Sequence, residues 1–145
     1  MFARILQIAI PFIWFGAVAA ISFMETPLKF TAPDITLPLG LGIGRVVFAA
    51  LNKAEIVLAV VMTFAIYFRR PKVKTPLALF GIVLILLILQ TVWLLPVLGM
   101  RTDMILSGQT PPPSSLHLIY IVFDALKLIL LFATGSLLIK AGLKT

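Results

Sequence analysis

Four long apolar runs, each broken by only a few polar positions, set the pattern of this chain. The first extends from Ile5 to Phe23, behind Arg4. The second opens at Gly44 and closes at Phe68 against Arg69 and Arg70. The third covers Leu77 to Leu98, and the fourth Leu116 to Ala141. A helix rises about 1.5 Å per residue, so about 20 apolar residues cross a hydrocarbon core of about 30 Å. The runs therefore predict an all-α protein of the membrane-spanning kind, a four-helix bundle with helices over about 5–23, 44–68, 77–98 and 116–141, in one domain covering 1–145.

The first run admits a second reading. Its short basic start and its Ala-rich end (Ala17, Val18, Ala19, Ala20) also fit a cleaved signal peptide. Its length, with Pro11 and Trp14 inside it, favours a signal anchor or a plain first helix.

The connections are punctuated by proline and glycine. Glu25 to Ile43 carries Pro27, Pro33, Pro38, Gly40 and Gly42. Such a segment predicts an apolar, Pro-broken loop packed into the mouth of the bundle. Arg69, Arg70, Lys72 and Lys74, with Pro71 and Pro76, form a tight basic connection. Met100 to Ser115 predicts a loop that ends in a stiff polyproline-like stretch, Pro111 to Pro113. Ser114 or Ser115 then caps the last helix.

Composition agrees with the pattern. Of the 145 residues, 61% are hydrophobic and 12% charged, against about 25% charged in a soluble domain. The formal net charge is +7. Because the basic residues flank apolar runs, they point to membrane topology and a lipid bilayer, not to nucleic acid. Cysteine is absent, which removes disulfides, iron–sulfur ligation and thiol chemistry. Arg4, Arg69, Arg70, Lys72, Lys74, Lys140 and Lys144 fall on one side of a four-span chain. Lys29 and Arg101 fall on the other, beside Glu25, Asp34 and Asp103. The positive-inside rule then predicts an N-in, C-in protein of the cell membrane, a bacterial inner membrane being one such setting.

The polar residues inside the runs are the candidate site. A charge at the bilayer centre costs about 2.5–3.5 kcal/mol on insertion scales, so it is paired, hidden or functional. Arg45, Asn52 and Glu55 share one stripe of the second helix with Phe48. His117, Tyr120, Asp124 and Lys127 share a stripe of the fourth at the same spacing. Both sets lie at matching depths, and Gln90 on the third helix joins them. The pairings expected are Glu55 with Lys127 and Arg45 with Asp124. Lys53 points away from Glu55 and snorkels outward or serves the first loop.

No catalytic, metal or cofactor site is expected. His117 is the only histidine, and a metal site usually needs three or more ligands. A Ser115, His117, Asp124 triad lacks a nucleophile elbow and an oxyanion feature. Gly40, Gly42 and Gly44 precede a helix without a preceding strand, so they read as a hinge and not as a dinucleotide loop. Trp14 and Gly16 read as interhelical packing.

Trp14-Phe15-Gly16, the stretch from Phe23 to Phe30 with Pro27, the opening Gly44 to Phe48 and the pair Leu116-His117 together resemble the transmembrane protein 205-like family of four-helix membrane proteins. The resemblance implies a topology over nearly the whole chain and no activity. Two functional expectations stand. The first is an outward-facing polar pocket that binds or transports an ion or small polar solute, in an oligomer since the chain is short for a two-repeat transporter. The alternative is a non-catalytic accessory subunit of a larger membrane complex, whose charges hold helices together. A membrane enzyme using His117 and Asp124 ranks last.

Overall fold

The computed structural model describes residues 1–143. Lys144, counted above with the basic side, lies outside them. Among the described residues the architecture is wholly helical. Four helices are long and apolar enough to cross a membrane: α1 (Phe2–Lys29), α2 (Leu37–Phe68), α3 (Thr75–Leu106) and α4 (Leu116–Leu143).

Every helix but the last starts or ends well beyond its apolar run, and the proline-rich segments explain why. Where a loop was expected over Glu25 to Ile43, the chain is irregular only between Lys29 and Leu37. Pro38 sits in the first turn of α2, where a missing N–H breaks no helical bond. The Thr36 hydroxyl caps that turn by accepting from the Leu39 N–H at 3.3 Å. At the tight bend of the loop, Asp34 takes φ 62°, a left-handed conformation that Asp tolerates better than most residues.

Pro27 and Pro96 are accommodated in one way. A proline lacks the N–H that would bond four residues back, and its ring crowds that carbonyl. Both are preceded by a π-helical segment, Ala19–Glu25 in α1 and Gln90–Leu94 in α3. There the backbone bonds five residues back, as from the Thr26 N–H to the Ile21 carbonyl and from the Leu95 N–H to the Gln90 carbonyl. Each helix so passes its proline without ending. The expected loop from Met100 therefore begins only after Leu106. It opens with a Schellman turn: Gly108 at φ 80°, Gln109 N–H to the Met104 carbonyl at 2.9 Å and Gly108 N–H to the Ile105 carbonyl at 3.0 Å. Ser114 caps α4 through its side chain, accepting from the Leu116 N–H at 3.2 Å.

α1 packs against both α2 and α4. α3 packs on α4 along Thr75–Leu89 and on α2 along Leu95–Leu106, so it changes neighbour at its π segment. α2 and α4 stand across the bundle from each other. The core is built from Ile10, Trp14, Val18, Leu51, Met62, Phe80, Val83, Leu87 and Leu131, among others. Apolar side chains such as Ile13, Phe64, Ile85 and Ile129 face outward, as a lipid-facing surface requires.

At Gly135, α4 approaches α1 closely. A Cβ there would stand 2.6 Å from the Phe12 ring. Phe12 is itself held edge-on to Phe132, with ring centroids 6.0 Å apart. Gly135→Leu is expected to push the two helices apart and lower stability by about 1–3 kcal/mol. Thermal unfolding in one fixed detergent checks this, and an unchanged midpoint would contradict the close contact.

Candidate functional site

The polar residues of the four helices fall into two structures, a closed network at the centre of the bundle and an open cavity at the end that carries the 30–36 loop. The single pocket expected from the sequence is thus divided in two.

The network is organised on the α4 pair Asp124 and Lys127, three residues apart and therefore on one face. Both are fully buried, as is Glu55 of α2. The Lys127 ammonium bonds Glu55 Oε1 across the bundle and lies 3.0 Å from Asp124 Oδ1. The α1 indole closes on the same Glu55 oxygen: Trp14 Nε1–H donates to Oε1 at 2.8 Å. Asp124 accepts from Gln90 Nε2 at 2.9 Å and from the Ser22 hydroxyl at 2.6 Å. All four helices thus contribute to one connected set. Gln90 opens the π segment of α3, and Ser22 lies inside the π segment of α1. The helical irregularities that accommodate Pro96 and Pro27 therefore also carry the two neutral donors to Asp124.

The structure bears out the Glu55–Lys127 pair. It overturns the Arg45–Asp124 pair. Arg45 is half-exposed at the end of the bundle and bonds Asp103 of α3. The reason is the length of α3: its continuation past Pro96 brings Asp103 beside Arg45, while Lys127 of the same turn already neutralises Asp124. Asn52 is buried, but its Nδ2 donates to the Thr91 hydroxyl at 2.8 Å outside the ion set, and Thr91 passes its own proton to the Leu87 carbonyl at 2.7 Å. Lys53 is exposed on the outer face of α2. It lies about 24 Å from Arg69 along the helix axis, within snorkelling distance of the opposite interface. Ser22, Trp14 and Thr91 were not legible as members of the site. A hydroxyl or an indole in an apolar run carries no sequence mark that separates bonding from packing.

The cavity has a volume of about 350 Å³. Its walls are largely apolar, from Phe48, Leu95, Leu98 and Ile105. Its polar lining combines the basic Lys29, Arg45, Arg101 and His117 with the neutral Thr26, Thr102, Ser114 and Tyr120. Lys29 is drawn over the rings of Phe30 and Phe48, 5.6 and 5.8 Å from their centroids, and is 3.4 Å from Glu25. Arg45 is matched by Asp103. Arg101 donates to the Pro112 carbonyl at 2.6 Å and has no carboxylate among its partners. His117 is exposed on the rim, away from the network.

Tyr120 belongs to both regions. It lines the cavity, yet its side chain is buried, edge-on to Phe48 with centroids 5.3 Å apart. It stands one turn of α4 from Asp124, close enough to both buried carboxylates to feel their charge. Its hydroxyl has no hydrogen-bond partner, and neither do Glu55 Oε2 and Gln90 Oε1.

No family model, curated protein or solved structure matches this chain. The site therefore has to be read from its own chemistry. Among the described residues, no group of three or more His, Asp or Glu side chains comes together as a metal-binding cluster. What the arrangement offers is an apolar hollow with a basic rim, standing over a closed ionic centre.

Proposed function

We propose that the protein is a multi-pass protein of the cell membrane that binds a small amphipathic anion, a carboxylate or phosphate attached to an apolar body. The observation that carries this reading is the cavity of about 350 Å³, apolar along its walls and basic at its charged positions. Pockets of this size and lining bury small ligands, and a few charged groups fix their orientation. Arg101 is the group best suited to an incoming anion, because it has no carboxylate partner to displace. A guanidinium binds a carboxylate or phosphate through paired N–H donors.

Orientation follows from charge. Arg4, Arg69, Arg70, Lys72 and Lys140 gather at the end opposite the cavity, and the positive-inside rule sets that end in the cytoplasm. The cavity then opens outward. The ligand is an anion because the charged groups that line the cavity are cations. The acidic groups Glu55 and Asp124 are closed off and cannot receive a solute directly.

The test is titration of the protein in lipid nanodiscs with a medium-chain alkyl carboxylate, beside an alkyl trimethylammonium of equal length. Saturable binding of the carboxylate alone is expected, weakened at least tenfold by Arg101→Gln. Absence of saturable binding, or equal binding of the cation, would overturn the proposal.

The alternative, an accessory subunit in a larger complex, has one observation in its favour. The ionic centre ties all four helices together, so its charges serve packing. That role is compatible with a ligand in the cavity. It becomes the better reading if the carboxylate fails to bind and the chain copurifies with a larger membrane complex at native expression.

A further inference from the structure

The interior network does not balance its charge. It contains two acids, Glu55 and Asp124, and one base, Lys127, all fully buried. With every group ionised the centre carries a net charge of minus one, and a buried uncompensated charge is strongly unfavourable. The bonding pattern shows where the balance is restored. Asp124 receives three donors spread over both oxygens: Gln90 Nε2 and Lys127 Nζ at Oδ1, and the Ser22 hydroxyl at Oδ2. Glu55 receives Trp14 and Lys127 at Oε1 only, and nothing at Oε2. The other charged or titratable side chains brought to Glu55 all come from α4: Lys127, Asp124 and Tyr120. α1 contributes the neutral Trp14, and α3 the neutral Gln90 through Asp124.

Two more buried oxygens lack partners, Gln90 Oε1 and the Tyr120 hydroxyl. Gln90 Oε1 is an acceptor without a donor. The Tyr120 hydroxyl is a donor and an acceptor without either, on a side chain that also lines the cavity. A proton added at Glu55 Oε2 would cancel the excess charge in one step.

We propose that Glu55 is a proton-binding site, carrying one exchangeable proton on Oε2 in the folded protein. When that proton leaves, Glu55 is left as the anion beside Lys127, and the centre gains one negative charge. No covalent bond other than O–H is made or broken. This inference stands on the interior network and does not depend on which ligand the cavity takes.

Infrared difference spectroscopy of the protein in lipid at neutral pH tests it. The carbonyl stretch of a protonated carboxylic acid is expected in the unsubstituted protein and lost in Glu55→Gln. That substitution keeps size and shape, and circular dichroism checks that the variant is folded. On transfer to D₂O the band is expected to shift. A spectrum of the unsubstituted protein without the band would overturn the proposal, and this outcome needs no variant to fold. Persistence of the band in Glu55→Gln would place the proton on another carboxyl and overturn it equally. If the band is absent and sodium ions raise the melting temperature of the unsubstituted protein but not of Glu55→Gln, the centre binds a metal cation instead.

Discussion

Lys127→Met is expected to destabilise the bundle more than any other single substitution of comparable size. The methionine has similar length and no charge, so the change removes the cation and little volume. Lys127 has no exposed surface and, among the described residues, is the only cation bonded to Glu55 and Asp124. Its loss strands the buried acids without a counter-charge, and breaking a buried pair from one side costs about 3–5 kcal/mol. The triple variant Lys127→Met, Glu55→Gln, Asp124→Asn removes the whole charge imbalance. Most of the lost stability should return, because a buried ionic set replaced by neutral groups of similar volume is often close to neutral in stability. Thermal unfolding by circular dichroism in one detergent measures both. A single variant that melts with the unsubstituted protein would show that the network does not hold the helices. A triple variant no better than the single would show that the loss came from packing instead of charge.

Gly99→Trp is expected to abolish ligand binding and leave the fold intact. Gly99 lines the cavity, and a Cβ built on it meets no atom within 4 Å. The indole therefore enters empty space in a hollow of about 350 Å³ instead of pressing on a neighbour. Affinity for the alkyl carboxylate should fall at least tenfold, about 1.4 kcal/mol or more. Stability should change by no more than about 0.5 kcal/mol, as for substitutions that disturb no packed feature. Gly81→Trp is the matched control. It lies on the same helix, a Cβ there also meets nothing within 4 Å, and it is not among the cavity residues. Binding that survives Gly99→Trp would move the ligand out of this cavity. Equal loss in Gly81→Trp would mark a general effect of tryptophan on α3.

The two regions divide the roles expected of one polar stripe. Arg45, His117 and Tyr120 reach the cavity, while Asn52, Glu55, Gln90, Asp124 and Lys127 turn inward. Among the described residues, no carboxylate lines the cavity itself. This separation lets an anion bind without facing the like charge of Asp124.

Hydrophobic periodicity was enough to find the four spans and the all-helical class, since a bilayer admits few structures for such runs. It also matched Glu55 with Lys127, because equal depth and shared helix faces are properties of regular helices. It failed where the helices are irregular. Pro27 read as part of a broken loop and the third helix was expected to end near Leu98, yet π segments absorb Pro27 and Pro96, so α1 runs on to Lys29 and α3 to Leu106. That extra length places Asp103 beside Arg45 and leaves Asp124 to Lys127, Gln90 and Ser22. Sequence alone thus determined which residues form helices long and apolar enough to cross a membrane and which residues in them are too polar to stay unpaired there. Only the tertiary structure decided which partner each one takes and which face of the bundle stays open. Those outcomes depend on a shift in hydrogen-bond register at two prolines, and the register is fixed by contacts between helices that no single helix encodes.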